Sequence, residues 1–197
     1  ALEISRSGPG DRENYRYRVD EMRTVLDGLL VSKTFGPLID RRRIAVGGHS
    51  FGGFTALGVC GAFDGRRHDG IKALLLFSSG AAGYLYRDSE LAAVKVPSLH
   101  FVGEKEQSDR RGDRSMRELA DKIHGNVPPP KHLLLVRGGT HFTFNNCLSD
   151  RMAARWLSGS DEQFDTLRRY SIAFLERYVC GRPDGEAVLD GEDRMLT

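Results

Sequence analysis

Ile44-Ala45-Val46-Gly47-Gly48-His49-Ser50-Phe51-Gly52-Gly53 is the stretch on which the fold turns. Its first half is a short apolar run closing in glycines, the pattern of a strand buried on both faces. Its second half opens the segment Phe51 to Ala62, rich in small residues, which reads as a helix. Between the two, Gly48-His49-Ser50-Phe51-Gly52 fits Gly-x-Ser-x-Gly. In a strand-to-helix turn this motif holds a strained serine with its hydroxyl clear of the sheet, at the positive end of the helix. Glycines two before and two after Ser50 are expected because a Cβ at either would collide with neighbouring backbone. Neither Gly-x-Gly-x-x-Gly nor Gly-x-x-x-x-Gly-Lys-[Ser/Thr] can be laid on residues 45–55, which sets aside a phosphate-binding loop.

Upstream of this stretch, Val19, Met22, Val25, Leu26, Leu29 and Leu30 fall at helical spacing and predict an amphipathic helix from Tyr17 to about Val31. Downstream, Ile71 to Phe77 and Pro97 to Gly103 read as two further buried strands, and His132 to Val136 as a fourth. Ser115 to His124 reads as a helix closed by Gly125 and the Pro128-Pro129-Pro130 breaker, and Glu162 to Val179 as a last helix. Residues 1–13 read as a loose N-terminal segment and 181–197 as a polar C-terminal tail. Strands and helices that alternate, with continuously apolar strands, predict one α/β domain over 1–197, a three-layer α/β/α sandwich on a mainly parallel sheet.

Composition narrows the classes of function. The chain has 197 residues, 40% hydrophobic and 28% charged, with a formal net charge of +2. That balance fits a single globular domain and no nucleic-acid partner, which would call for a concentrated basic face. The Arg41-Arg42-Arg43 run reads as solvated surface. No apolar run is long enough to span a membrane, and the first residues lack the apolar core of a signal peptide, so any signal would lie upstream of Ala1. The compartment is left open. Cys60, Cys147 and Cys180 include no Cys-x-x-Cys pair, and a single disulfide is left open, with Cys147–Cys180 the plausible pair. The six histidines show no metal spacing, and neither a metal nor a cofactor is implied.

In open α/β sheets chemistry collects at the carboxyl ends of the strands. A serine hydroxyl near neutral pH is a poor nucleophile and needs an adjacent base. His141 is the candidate, because it follows the last strand in a Gly-Gly-Thr-His-Phe loop whose glycines would let the ring swing towards Ser50. His49 sits inside the turn and His100 inside a strand, while His68 and His132 precede strands and so lie at the wrong edge. The acid that orients the imidazole is sought after the third strand, in Gly103-Glu104-Lys105-Glu106-Gln107-Ser108-Asp109. Glu106 ranks first there, Asp109 second and Glu104 third, with Asp88 as a candidate outside the loop. The Phe51 amide is the expected oxyanion-hole donor.

With these residues in hand, Asp40 to Gly53 resembles the elbow of dienelactone-hydrolase-like and platelet-activating-factor-acetylhydrolase-like esterases of the α/β-hydrolase superfamily, bacterial polyester-degrading cutinases being more distant. Pro97 to Glu106 is similar to that group's Pro-x-Leu-x-x-x-Gly-x-x-Asp stretch, and Gly138 to Phe144 to its Gly-x-x-His-Phe-x-Phe stretch. The resemblance implies a serine esterase with Glu106 standing at the family's aspartate. In acetylhydrolases nearer the platelet-activating-factor enzyme the acid follows the preceding strand. Here that loop reads Ser78-Ser79-Gly80-Ala81-Ala82-Gly83 and has no carboxylate, which favours the dienelactone-hydrolase-like branch.

The expectation is therefore hydrolysis of a small-molecule or lipid-like carboxylic ester through an acyl-enzyme. The rival readings are an amidase or peptidase on the same residues, and a non-catalytic or partner-dependent fragment. The last arises because several strands precede the elbow strand in that superfamily, whereas the 43 residues before Ile44 hold one helix and no clear strand. An open sheet edge is then expected, covered by an upstream fragment, by a second copy, or by residues 1–13 folding back as a further strand.

Overall fold

The computed structural model of the chain describes residues 8, 10–106, 115–145 and 159–197. Its elements run α1 (Arg16–Val31), β1 (Ile44–His49), α2 (Gly52–Leu57), β2 (Ile71–Phe77), α3 (Asp88–Leu91), β3 (Ser98–Gly103), α4 (Met116–Asn126), β4 (Lys131–Val136), α5 (Asp161–Tyr178) and α6 (Asp184–Leu189). The four strands form one sheet in the order β1-β2-β3-β4, and every pair is parallel.

Parallel strands need crossovers, and the helices that make them cover the two faces of the sheet. Alternation along β2 divides the core. Leu74 and Leu76 join Val19 of α1, Phe54 and Leu57 of α2 and Ile123 of α4 on one face. Ala73 and Leu75 join Leu99, Phe101 and the α5 residues Leu167, Tyr170, Ala173 and Phe174 on the other. Each fully buried Leu or Phe contributes roughly 1.5–3 kcal/mol relative to its exposed state. Two helices begin on serines that close a reciprocal capping box: Ser115 with Glu118 for α4, and Ser160 with Gln163 for α5. α4 passes the expected stop at Gly125 and ends at Asn126, because Val127 precedes Pro128 and is driven out of helical geometry.

The outer parts of the chain differ from the sequence reading. Asp11–Tyr15 is a short 3₁₀ helix rather than loose chain, and Arg12 pairs with Glu90 while its guanidinium lies over Phe63. The tail is packed as well: Leu189 of α6 is buried, and Val188 and Leu196 pack on the second core. Arg137 N donates to Met195 O at 2.8 Å and Thr197 N to Leu135 O at 3.0 Å, so the C-terminal residues cover the outer edge of β4. Polar composition concealed that role. Cys180 is a free thiol, and Cys147 lies outside the described residues.

α1 is less buried than its spacing predicts. Val19 is its one buried residue, whereas Tyr17, Met22, Val25, Leu29 and Val31 are exposed. The outer edge of β1 pairs with no strand among the described residues.

Candidate active site

Strand register builds the site. His49, Phe77 and Phe101 are aligned across β1, β2 and β3, so the residues that follow them emerge together at the carboxyl edge. Ser50 N donates to Phe77 O at 3.0 Å, and Ser78 N to Phe101 O at 2.8 Å, which extends the ladder one step past the strand ends. Both serines then turn sharply, Ser50 at φ 54° and Ser78 at φ 47°, and among the described residues no other non-glycine has positive φ. A side chain in this region costs free energy, which the surrounding packing must supply.

The elbow at Ser50 has the expected shape, with one correction. A Cβ on Gly48 would lie 2.3 Å from the Gly52 carbonyl, so the turn demands glycine there. A Cβ on Gly52 meets nothing within 4 Å; the second tight position is Gly53, whose Cβ would stand 2.3 Å from Ser79. Gly53 therefore lets the β2 exit loop pack onto the head of α2. The Phe51 ring is wedged edge-on to Tyr15 and stacked on Phe54, with the Arg18 guanidinium 5.0 Å from its centroid. Its amide opens the first turn of α2, where backbone N–H groups have no intrahelical acceptor.

The loops after β3 and β4 are drawn together by glycine. A Cβ on Gly103 would lie 2.5 Å from Gly139 O, and Lys105 N donates to that same oxygen at 2.7 Å. Close packing, rather than the expected freedom to swing, is thus what Gly139 supplies. The result fixes Glu106 and His141 on either side of Ser78. Glu106 is buried; its Oε1 accepts from Gly103 N at 2.7 Å and its Oε2 from the Ser78 hydroxyl at 2.7 Å. The same hydroxyl oxygen lies 2.5 Å from His141 Nδ1. His49 Nε2 donates to the His141 carbonyl at 2.8 Å, and the two rings sit 4.8 Å apart.

The structure thus joins Glu106, Ser78 and His141 in one hydrogen-bonded chain and sets it beside the strand end that carries Ser50. It makes no hydrogen bond from Ser50 Oγ to His141 among the described residues, and no direct one from Glu106 to His141. Glu104 is turned away, accepting from Gly138 N at 2.6 Å. Asp88 is exposed and faces Lys122 at 3.6 Å, and Asp109 lies outside the described residues. His100 is a buried core residue hydrogen-bonded to Ser98. Sequence reasoning missed Ser78 and His49 as parts of the site. The signal for Ser78 was available: in a parallel sheet the residue after β2 emerges next to the residue after β1.

Burial raises the Glu106 carboxyl above its ordinary value, opposed by the Gly103 amide and the Ser78 hydroxyl. Burial, reinforced by the neighbouring His49, pushes His141 down to about 4, so its imidazole is neutral and able to accept a proton at physiological pH. A cavity of about 400 Å³ opens beside the chain, lined by Lys105, Glu106, Met116, Thr140, His141 and Phe142. A second cleft, of about 370 Å³, lies between α5 and the C-terminal residues. Its charges neutralise each other, Arg169 with Asp193 and Arg194 with Glu162, and it lies on different residues from the site. No three His, Cys, Asp or Glu side chains among the described residues converge as a metal site.

The parallel sheet covered by helices on both faces, with the strand-to-helix turn at Ser50, is an α/β fold. The chain matches no known family profile. It is 25% identical over 155 residues to Lipase 1 of Moraxella sp. (strain TA144), an alignment covering 75% of this chain and 44% of the lipase. Among solved structures it superposes on a ferulic acid esterase from Streptomyces cinnamoneus with a TM-score of 0.69 and 22% identity, over 92% of this chain and 54% of the esterase. A dienelactone hydrolase from Anabaena variabilis ATCC 29413 follows at TM-score 0.53 and 16% identity, over 78% of this chain and 56% of that one. A puromycin-hydrolyzing peptidase of Mycobacterium tuberculosis gives TM-score 0.53 at 14% identity, over 82% and 25%. The chain spans about half the length of the lipase and of the esterase it matches.

Proposed function

We propose that this chain carries the reactive core of a serine hydrolase that cleaves carboxylic esters through an acyl-enzyme. The observation that carries the reading is the left-handed turn at Ser50, beside a hydrogen-bonded chain that ends on a neutral imidazole. In the reaction Ser50 Oγ attacks the ester carbonyl while His141 Nε2 takes its proton. The Phe51 amide stabilises the oxyanion, and Glu106 stabilises the imidazolium. Collapse of the intermediate breaks the bond to the alcohol oxygen, which leaves with the proton held on His141. Water repeats the sequence on the acyl-enzyme and frees the acid.

The ferulic acid esterase and the lipase support an ester as substrate, and Met116 and Phe142 offer apolar wall for its acyl or alcohol part. The puromycin-hydrolyzing peptidase favours the second reading, an amidase on the same residues. Matched p-nitrophenyl esters and p-nitroanilides of one acyl series separate them. Turnover of the esters and none of the anilides is expected; anilides cleaved faster than their esters would reverse the assignment.

A polypeptide partner beside β1 is supported by its outer edge, which pairs with no strand among the described residues, and by the exposed apolar residues of α1. We assign that place to chain belonging to the same hydrolase fold, in keeping with the half of the esterase that this chain leaves unmatched. Native mass spectrometry of the protein purified from its own source is expected to find this chain joined to further hydrolase sequence. A dimer of this chain alone would identify a second copy as the cover instead.

A further inference from the structure

We propose that Ser78 is a positioning residue whose hydroxyl couples Glu106 to His141 and thereby decides which imidazole nitrogen faces Ser50. The inference rests on the serine-hydrolase reading above and adds to it a member that neither the motif nor the choice of acid contains.

Among the described residues Ser78 Oγ is the one group bonded to both partners, at 2.7 Å from Glu106 Oε2 and 2.5 Å from His141 Nδ1. A hydroxyl has a single proton to give. An ionised carboxylate can only accept, so that proton goes to Glu106. The Ser78 oxygen is then left as an acceptor, and His141 Nδ1 must carry the hydrogen that faces it. The imidazole tautomer follows: Nδ1 protonated, Nε2 bare and able to receive the Ser50 proton. When Nε2 is protonated the positive ring faces a hydroxyl dipole already polarised by the carboxylate, and bonds in such a chain strengthen one another. No proton needs to cross Ser78; the hydroxyl transmits orientation and charge.

Reversing the donor at position 106 reverses the chain. An amide there donates to Ser78 Oγ, Ser78 gives its proton to Nδ1, and Nε2 carries the hydrogen, where it cannot act as a base. A second observation agrees with a dedicated role. Ser78 is 1% exposed and held at φ 47°, a conformation that a serine adopts only when its surroundings enforce it. Ser78 N donating to Phe101 O at 2.8 Å holds the backbone in line with the Ser50 turn.

The test uses steady-state hydrolysis of a p-nitrophenyl ester with Ser78→Ala, Ser78→Gly, Glu106→Gln and the Ser78→Ala/Glu106→Gln pair, with Ser50→Ala as control. Ser78→Ala is expected to lower kcat roughly 10- to 100-fold, the scale of one lost hydrogen bond to a charged chain, with KM little changed. Ser78→Gly accepts positive φ freely. It should show the same loss, which assigns the effect to the hydroxyl and not to the backbone. In the Glu106→Gln background Ser78→Ala should cost nothing further or restore some activity, because it releases the ring from the wrong tautomer. Ring ¹⁵N spectra should show His141 protonated on Nδ1 in the native protein and on Nε2 in Glu106→Gln. Wild-type kcat in Ser78→Ala, losses that simply multiply in the pair, or one unchanged tautomer throughout would each overturn the proposal. If Ser50→Ala kept its activity, the hydrolase reading itself would fall, and that outcome is distinct from all three.

Discussion

Ser50→Ala is expected to abolish the ester turnover proposed for this chain, with a loss on the order of 10⁴ to 10⁶ in kcat. The size follows from the chemistry. No acyl-enzyme forms without the hydroxyl, and only oxyanion stabilisation and substrate binding remain to assist water. The fold is expected to survive unchanged. Alanine removes one oxygen, and the backbone bonds that hold the turn, Ser50 N to Phe77 O and Gly53 N to Ser50 O, are main-chain bonds. Alanine is no worse suited than serine to φ 54°. A circular dichroism melt that matches the native protein, together with a dead enzyme, is the result that assigns the nucleophile. More than a tenth of native activity in the variant would remove Ser50 from that role.

Glu106→Gln carries the second large effect, an expected fall in kcat of about 10⁴-fold, the scale seen when an orienting acid is replaced by its amide. Stability is expected to move the other way. A carboxyl whose folded value is raised holds its proton more tightly in the native state than in the unfolded one. Native stability therefore falls as pH rises from the ordinary carboxylate value through the folded one, and the deficit persists at neutral pH. Glutamine lacks that buried charge and still offers an oxygen to the Gly103 amide. The variant should melt at or above the native temperature at pH 7, and the difference should shrink as pH falls through the folded value. Activity of the native enzyme should fall over that same range, since a protonated Glu106 can donate to Ser78 and reverse the chain as the amide does. His141, held down to about 4, loses its basicity only lower still. A lower melting temperature with full activity would make Glu106 a structural residue and no more.

How much of this was legible in the sequence depends on what each residue answers to. The strands were plain because a parallel sheet buried on both faces needs unbroken apolar runs, and Ile71 to Phe77 is one. Ser50 was plain because its turn demands small residues around it, although the tight positions proved to be Gly48 and Gly53 rather than Gly48 and Gly52. Glu106 could be named but not separated from Glu104 by pattern alone. Burial and the Gly103 amide distinguish the two side chains in the structure, and neither is written in a loop's composition. Ser78 was passed over because the search after β2 was for a carboxylate, while the structure uses that position for a hydroxyl. α6 was invisible for a different reason: six residues that begin Asp-Gly-Glu carry too little periodicity to stand out from a polar tail. For α1 the spacing gave an apolar face correctly, yet a spacing cannot say whether a partner for that face lies within the same chain.

The central claim is that Ser50 is a nucleophile activated by His141, and active-site labelling tests it most directly. A fluorophosphonate probe reacts with an activated serine by forming a phosphorus–oxygen bond and expelling fluoride, and the product stays on the protein for peptide mass spectrometry. The expected result is a single adduct on Ser50 in the native protein, absent in Ser50→Ala and strongly slowed in His141→Gln. An unlabelled native protein, or a label on any other serine, would contradict the account.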